Sequence, residues 1–216
     1  MELQEKKANN INLVTAGHYL PIVIESIKKA RKNGLTIPIV YNSSGYEKVE
    51  AIEALNGIVD IFLPDFKYIS SEMAARYSNA PDYPEVAKRA LAQMVKQTGE
   101  AKFDERDMMK RGVIVRHLIL PGHIKESKKA IRYLYETYGD QIYISIMNQY
   151  TPMPGIEKRF KNLGRTITQR EYDEVVDYAV DLGVENGFIQ EGETAKESSK
   201  RATKKNKKVL DKDKSF

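Results

Sequence analysis

The sequence of 216 residues contains no cysteine. Without thiols the chain by itself forms no disulfide, no thiolate-ligated metal centre and no iron–sulfur cluster, and it has no cysteine nucleophile. It also lacks an apolar run of the ~18 to 20 residues that a membrane span requires. Its polar first residues do not resemble a signal peptide. From these absences we expect a cytoplasmic (cytosolic) protein without a membrane partner.

Two common nucleotide-binding motifs are absent as well. No G-x-G-x-x-G follows the first predicted strand, and no G-x-x-x-x-G-K-S/T occurs in the sequence. Both motifs supply glycine-rich backbone that cradles phosphates. The sequence therefore argues against nucleotide binding of these two types.

The positive charge is concentrated at one end of the sequence. Residues 196–216 carry nine Lys/Arg and three Asp/Glu, a net charge of +6, which leaves residues 1–195 at −1. Nucleic-acid binding requires basic residues clustered on a folded face, so nucleic acid is not an expected partner. Because the terminal segment also has few apolar residues, residues 198–216 are predicted to be a disordered Lys-rich tail.

Short apolar runs alternate with helical patterns along the rest of the chain. Predicted strands are 11–15, 37–41, 59–63, 113–120 and 142–147, with a further short one at 188–190, and predicted helices are 19–32, 47–55, 84–97, 125–138 and 168–183. The stretch 100–111 is predicted to be a polar excursion on the surface. Near-continuous apolar strands separated by helices predict an α/β fold with parallel strands and outer helices. A partial (β/α) barrel fits this pattern, and an open doubly wound sheet is the alternative.

Polar or charged residues follow each predicted strand, where ligands bind in parallel α/β folds. Some have a structural explanation, since Asn42–Gly45 is also a typical turn and helix cap. Arg116 is the strongest candidate, because an arginine in an apolar strand must face a polar cavity or bear a large burial cost. Its neighbour His117 points to the opposite face and is predicted to be a packing residue. The candidate binding residues are Thr15, Gly17, His18, Asn42, Ser44, Asp65, Lys67, Arg116, Met147 and Gln149.

The strand ends resemble those of a known family. The segments NINLVTAGHYLP, IPIVYNSSGYEKVE, VDIFLPDFKY, GVIVRHLILPGH and ISIMNQYTPM are similar to the second to sixth barrel strands of uncharacterised radical S-adenosylmethionine (radical SAM) proteins related to the pyruvate-formate-lyase activator. The resemblance covers about residues 3–197. It implies an incomplete radical SAM-type barrel domain over residues 1–197 whose first strand, with the cluster-binding cysteine loop, is missing.

The resemblance implies two cofactors. Family members hold a 4Fe–4S cluster with three cysteines, and S-adenosylmethionine (SAM) chelates the open iron before it is cleaved reductively to a 5′-deoxyadenosyl radical. In activators of this type the radical takes a hydrogen from a glycine of a partner glycyl-radical enzyme. Because this chain has no cysteines, we expect no radical chemistry from it alone. The expected partner is a protein substrate of the glycyl-radical type or the missing N-terminal segment.

The resemblance also assigns roles to the candidate residues. Thr15–His18 correspond to the family turn that contacts the methionine amino group, but the glutamate of that turn is absent here. Asn42–Gly45 correspond to an Asp-Thr-Asn-Gly element, and Asp65 and Lys67 to an Asp-x-Lys element. Arg116 corresponds to a basic residue suited to bind the methionine carboxylate bidentately. The adenine contacts correspond to the segment from Met147 to Gln149.

Two functions of other classes stay open at this point. Lys67 at a strand end is a candidate Schiff-base lysine of a lyase or aldolase-like barrel, with Asp65 as its proton-transfer partner. Alternatively, the chain is a non-catalytic binding module that recruits nucleic acid or acidic partners through its basic tail.

Overall fold

A computed structural model describes residues 1–189 and 200–201. The chain divides into two compact units. Unit 1 comprises Met1–Phe66 and Ser71–Val115, and unit 2 comprises Lys67–Ser70 and Arg116–Phe216.

The strands and helices of unit 1 alternate along the chain. Its strands are β1 (Ile11–Val14), β2 (Ile39–Ser43), β3 (Ile61–Pro64), β4 (Lys102–Phe103) and the first part of β5 (Met109–Leu118). Its helices are α1 (Glu2–Glu5), a 3-10 helix at Ala16–Tyr19, α2 (Leu20–Lys32), α3 (Val49–Ala54), α4 (Ser71–Ser78) and α5 (Tyr83–Thr98).

The sheet of unit 1 is parallel. β1 pairs with β2, β2 with β3, and β3 with β5, while β4 alone is antiparallel, to β5. Val14 lies opposite Asn42, and Ser43 lies opposite Pro64, so the carboxyl ends of β1, β2 and β3 finish together. The strands consist mostly of apolar residues because helices cover the sheet. The fully buried side chains of this unit include Ile39, Tyr41, Ile52, Leu55, Phe62 and Met94.

Helix α5 shows how the sequence sets the helix ends in unit 1. Pro84 lies in its first turn, where the missing N–H costs nothing. Gly99 ends the helix with a φ of 64°, a conformation that favours glycine. The buried side chains of α5 follow helical spacing, as expected for one apolar face: Ala87, Ala90, Leu91, Met94 and Val95.

Unit 2 contains the end of β5 and the elements that follow it. These are α6 (Ile124–Tyr138), a 3-10 helix at Gly139–Gln141, β6 (Tyr143–Met147), α7 (Ile156–Arg159), a 3-10 helix at Lys161–Gly164, α8 (Gln169–Leu182), β7 (Gly187–Ile189) and β8 (Lys200–Arg201). β6 lies between β5 and β7 in the strand order and runs parallel to β7, whereas β8 is antiparallel to β7. Lys128 of α6 forms an ion pair of 2.8 Å with Glu174 of α8, which joins the two outer helices.

The arrangement of these elements confirms an α/β fold with a parallel sheet and flanking helices. The stretch 100–111 contains no buried residue from 101 to 111, in keeping with the predicted surface position, but it also contains β4 and the start of β5, which were not predicted. The carboxylate of Asp104 accepts hydrogen bonds from the backbone N–H groups of Arg106 and Met108 and so closes a turn between these two strands. Helix α4 was not predicted from the sequence pattern.

Two sequence-based predictions concern the C-terminal tail and the cellular location. The predicted tail 198–216 lies outside the described residues except for Lys200–Arg201, so its disorder stays a prediction. Among the described residues, no helix has both the length and the apolar character to cross a bilayer. The cytoplasmic location stays a prediction as well.

Helix α8 begins with a capping box. The Thr168 hydroxyl accepts a hydrogen bond from the Glu171 N–H (3.2 Å), and the Glu171 carboxylate accepts one from the Thr168 N–H (3.0 Å). The same carboxylate binds both terminal nitrogens of Arg165, at 2.6 and 2.7 Å, and accepts a hydrogen bond from the Gly122 N–H (2.8 Å). The Arg165 guanidinium, followed by these backbone donors, holds the pKa of the Glu171 carboxyl well below its usual range.

We therefore expect the free energy of unfolding of Glu171→Gln to change less with pH in the acid range than that of the wild type. A carboxyl whose pKa is lower in the folded state stabilises the fold above its unfolded pKa of about 4.3, and this contribution disappears as the pH falls toward the folded pKa. Between about pH 5 and pH 2, the wild type should lose more free energy of unfolding than Glu171→Gln, measured by urea unfolding at each pH. Asp177→Asn, which removes an exposed carboxylate on the same helix, is the control and should keep the wild-type profile. Equal profiles for wild type and Glu171→Gln would contradict this role of Glu171.

Candidate functional site

The carboxyl ends of β1 and β2 are tied together by their backbones. The Thr15 N–H donates to the carbonyl of Asn42 at 3.0 Å. Thr15 has a φ of 54°, in the left-handed region that non-glycine residues seldom occupy. This residue turns the chain from β1 into the 3-10 helix, which places Gly17 and His18 beside the end of β2. Strained backbone of this kind is concentrated at functional sites.

Gly17 lies against two polar side chains from the β2 segment. A Cβ at this position would lie 3.3 Å from the hydroxyl oxygen of Tyr41 and 3.5 Å from Oε2 of Glu47. The absence of a side chain at Gly17 therefore allows the turn after β1 to approach Tyr41 and Glu47 closely. Tyr41 is fully buried, Glu47 is half-buried and His18 is exposed.

The pKa values of these groups reflect their burial. Burial, assisted by the neighbouring Glu47 carboxylate, raises the pKa of the Tyr41 phenol well above its usual range. Burial also raises the pKa of Glu47, while Tyr41 and the nearby His18 act in the opposite direction without cancelling this effect. The end of β2 thus carries a carboxylate that has lost part of its hydration and lies next to a protonated phenol.

The ends of β2 and β3 are held in contact by a second set of interactions. The Asp65 N–H donates to the carbonyl of Ser43 at 3.0 Å. Gly45 has a φ of 76°, and a Cβ there would lie 2.1 Å from the carbonyl oxygen of Asp65. The hydroxyl of Tyr83 lies 2.9 Å from the Ser44 carbonyl oxygen and 3.0 Å from that of Asp65. The loop after β2 is therefore fixed against the end of β3 by backbone contact and by one tyrosine.

Tyr83 is itself supported by an aromatic contact. Tyr46 stacks on it with ring centroids 5.8 Å apart and an interplanar angle of 18°. The Tyr46 hydroxyl donates to the Asp82 carboxylate at 2.7 Å. At the same strand ends Asn42 and Asp65 are half-buried and Ser44 is exposed.

Unit 2 contains the other four predicted residues. Arg116 is half-exposed on one face of β5, whereas His117 is only 1% exposed on the other face, which confirms that His117 is a packing residue. Lys67 is half-buried in the segment 67–70 that follows β3. Met147 ends β6, and its carbonyl accepts a hydrogen bond from the Ile119 N–H at 3.1 Å. Gln149 lies two residues further on and is exposed.

A buried carboxylate fixes the segment that carries Lys67. Glu126, in the first turn of α6, is 8% exposed. Its Oε1 accepts hydrogen bonds from the backbone N–H groups of Ile69 (2.8 Å) and Ser70 (2.7 Å). Because a carboxylate is also favourable near a helix N-terminus, Glu126 serves the helix and the segment 67–70 together.

The predicted residues therefore fall into two groups. Unit 1 brings together Thr15, Gly17, His18, Asn42, Ser44 and Asp65, and unit 2 contains Lys67, Arg116, Met147 and Gln149. Sequence reasoning missed Tyr41, Glu47, Tyr83 and Glu126. Glu47 had a signal, because it follows a strand-end glycine within two residues, but the pattern assigned it to a helix start. Glu126 had none, since an acidic residue in a first helical turn is ordinary.

The described residues do not fit an iron–sulfur cluster. The sequence contains no cysteine, and within residues 1–189 and 200–201 no group of three or more His, Asp or Glu side chains is arranged to hold a metal ion. Cluster ligation needs thiolates or, in some sites, histidines in their place. No chemical step of this chain is therefore assigned to a cluster.

The chain is similar to known proteins both in sequence and in fold. No protein-family model matches the sequence. The chain is 28% identical over 172 residues to an uncharacterized protein of Methanocaldococcus jannaschii, an alignment that covers 80% of this chain and 46% of that protein. The chain thus spans less than half the length of this relative. Its fold is similar to the crystal structure of a domain of pyruvate-formate lyase-activating enzyme from Bacteroides vulgatus, with a TM-score of 0.60, 12% identity and coverage of 85% of this chain and 100% of that domain.

Proposed function

We propose that this chain is the SAM-binding part of a radical SAM protein and that it does not cleave SAM by itself. The observation that carries the proposal is the similarity of its fold to a domain of a pyruvate-formate lyase-activating enzyme over 85% of the chain. The polar residues at the carboxyl ends of the parallel strands add support, since this edge is where parallel α/β folds bind ligands.

The residues of unit 1 suit the methionine end of SAM. Gly17 lets the turn after β1 approach β2 closely, and Asn42 and Asp65 carry side-chain oxygens at the ends of β2 and β3. Hydrogen-bond acceptors of this kind fit an ammonium group, which has donors only. Thr15, His18 and Ser44, on the same two strand ends, complete the proposed contacts in this unit. SAM, when bound, supplies an activated carbon–sulfur bond, and these residues bind and orient it.

The assignment of the other candidates rests on the resemblance. Arg116 is proposed to bind the methionine carboxylate, because a guanidinium pairs with a carboxylate through two parallel hydrogen bonds. Lys67 is proposed as a second cation for the carboxylate, and Met147 and Gln149 as adenine contacts. A glycyl-radical enzyme as the partner of a complete protein stays a prediction.

Isothermal titration calorimetry with SAM tests the proposal. We expect saturable binding by the wild type and about tenfold weaker binding by Arg116→Ala and by Asn42→Ala, the loss of about 1.4 kcal/mol that removing a hydrogen bond to a charged group implies. Arg132→Ala, an exposed arginine of α6, and Asn56→Ala, an exposed residue before β3, are matched controls and should bind like the wild type.

The same samples test the second half of the proposal. With SAM and dithionite, the purified chain is expected to form no 5′-deoxyadenosine, because it has no thiol ligands for a cluster. A folded wild-type chain that does not bind SAM would contradict the binding role. Formation of 5′-deoxyadenosine above the protein-free background would contradict the claim that the chain is inactive alone.

A further inference from the structure

Strand β1 forms one edge of the sheet of unit 1. It is the first strand in the strand order, and among the described residues it pairs with β2 alone. The N–H groups of Ile11 and Thr15 donate to carbonyls of the β2 segment at 2.9 and 3.0 Å. Because alternate residues of a strand bond to the same neighbouring strand, the backbone N–H and C=O groups of Asn12 and Val14 point away from β2.

The outward edge of β1 has no feature that prevents pairing. Its sequence, Ile-Asn-Leu-Val, contains no charged residue and no proline, and its register with β2 is continuous. Charged side chains, prolines and bulges are the features that commonly keep an edge strand from pairing with another chain. The side chain of Asn12 is exposed and Val14 is 65% exposed, so a further strand can reach this edge.

Exposed apolar side chains are concentrated around β1. Tyr19 and Ile22, in the segment that follows β1, are 65% and 68% exposed, and Met1 and Leu3 of α1 are exposed as well. Together with Val14 they account for five of the eight large apolar side chains that are exposed among the described residues. Apolar side chains gathered in one place on a surface are typical of a contact with another protein.

We propose that β1 pairs antiparallel with β1 of a second copy of this chain, about a two-fold axis at Leu13. Asn12 of each copy then lies opposite Val14 of the other copy. The two residues of each such pair exchange N–H···O hydrogen bonds, so every outward backbone group of Asn12 and Val14 is used. Because both copies contribute the same surface, the contact closes at a dimer. This inference does not depend on SAM binding.

The positions of the exposed apolar groups favour a second copy as the partner. Helix α1 lies at the amino end of the sheet, because the Gln4 side chain accepts hydrogen bonds from the N–H groups of Thr36 and Ile37, just before β2. Tyr19 and Ile22 follow the carboxyl end of β1. Antiparallel pairing places the amino end of one β1 beside the carboxyl end of the other. The apolar groups at the two ends of one copy therefore face the opposite groups of the second copy.

Sedimentation velocity of the full chain between about 1 and 200 µM tests the proposal. The strand is short, so we expect a dimer with a Kd on the order of 10 µM. Asn12→Pro removes an outward N–H at a position where an edge strand tolerates proline, and it should raise this Kd at least about tenfold. Asn12→Ala, which keeps the N–H, is the matched control and should dimerise like the wild type. The amide protons of Asn12 and Val14 should also exchange more slowly as the protein concentration rises.

Several results would overturn the proposal. A wild type that stays monomeric over the whole range does so, and the edge is then open to a strand of a different chain. A dimer that Asn12→Pro leaves unchanged places the interface elsewhere. Dissociation in about 1 M NaCl assigns the association to charged segments, because backbone pairing and apolar contacts persist in salt. Far-ultraviolet circular dichroism checks the fold of Asn12→Pro. Val14→Lys, which changes an exposed side chain and adds a charge to the edge, is the second variant and should also weaken the dimer.

Discussion

Gly45→Ala should destabilise unit 1 by about 3 kcal/mol or more. Two effects add at this position. An alanine at the φ of 76° adopts a left-handed conformation that costs about 1 to 2 kcal/mol. Its Cβ would also lie 2.1 Å from the carbonyl oxygen of Asp65, far inside van der Waals contact, so the backbones of the β2 loop and of the end of β3 must separate. Forced shifts of this kind typically cost a further ~1 to 3 kcal/mol.

Gly57→Ala separates these two effects. Gly57 has a similar φ of 69°, but no atom lies within 4 Å of its Cβ position. Gly57→Ala should therefore lose only about 1 to 2 kcal/mol, from the backbone conformation alone. Urea unfolding followed by circular dichroism measures both variants. Equal losses for the two glycines would show that the approach of Gly45 to Asp65 contributes nothing to stability.

Gly45→Ala should also impair ligand binding. Ser44 and Asp65 flank the contact at Gly45, and both belong to the proposed binding residues. Moving the two strand ends apart displaces these residues from each other even where the variant stays folded. Gly45→Ala is therefore expected to weaken SAM binding under conditions where Gly57→Ala does not.

Glu126→Ala should destabilise the protein by about 3 kcal/mol. The carboxylate is 8% exposed and accepts the backbone N–H groups of Ile69 and Ser70 through one oxygen. Truncation leaves two part-buried donors without their acceptor, at a cost of ~1 to 3 kcal/mol each, partly offset where water enters. The segment 67–70 would lose the interactions that fix it, and Lys67 with it.

Glu126→Gln isolates the contribution of charge. Its amide oxygen can still accept both hydrogen bonds, so we expect a loss of about 1 kcal/mol, because neutral hydrogen bonds are weaker than charge-assisted ones. Glu136→Ala, an exposed position on the same helix, controls for helix propensity and should change stability little. If Glu126→Ala and Glu136→Ala had equal free energies of unfolding in urea titrations, the hydrogen bonds of Glu126 would make no net contribution to stability.

The fold was accessible from the sequence because its main signals are local and repetitive. The apolar runs at residues 11–15 and 59–63 correspond to β1 and β3, and the capping box at Thr168 opens α8. The turn at Asp104 was not predicted. Its strands are short, and what holds the turn is a side chain bound to backbone two and four residues away, for which composition gives no signal.

The candidate site was accessible only in part. Sequence position places polar residues after each strand, which is how Asn42, Asp65 and Arg116 became candidates. Sequence position does not show which side chains from different segments meet. Glu47 was assigned to a helix start, yet folding brings it to Gly17, thirty residues earlier in the chain.

The sequence by itself determined that this chain has an α/β fold with parallel strands, that its strands end in polar residues, and that the chain contains no thiolate to ligate a cluster. These features depend on composition and on patterns that repeat within a few residues. Only the tertiary structure decided that Glu47 lies against Gly17, that Gly45 touches Asp65 and that Glu126 holds the segment 67–70. Each of these contacts joins residues far apart in the chain, and their distances are set by strand register and helix packing, which no short stretch of sequence contains.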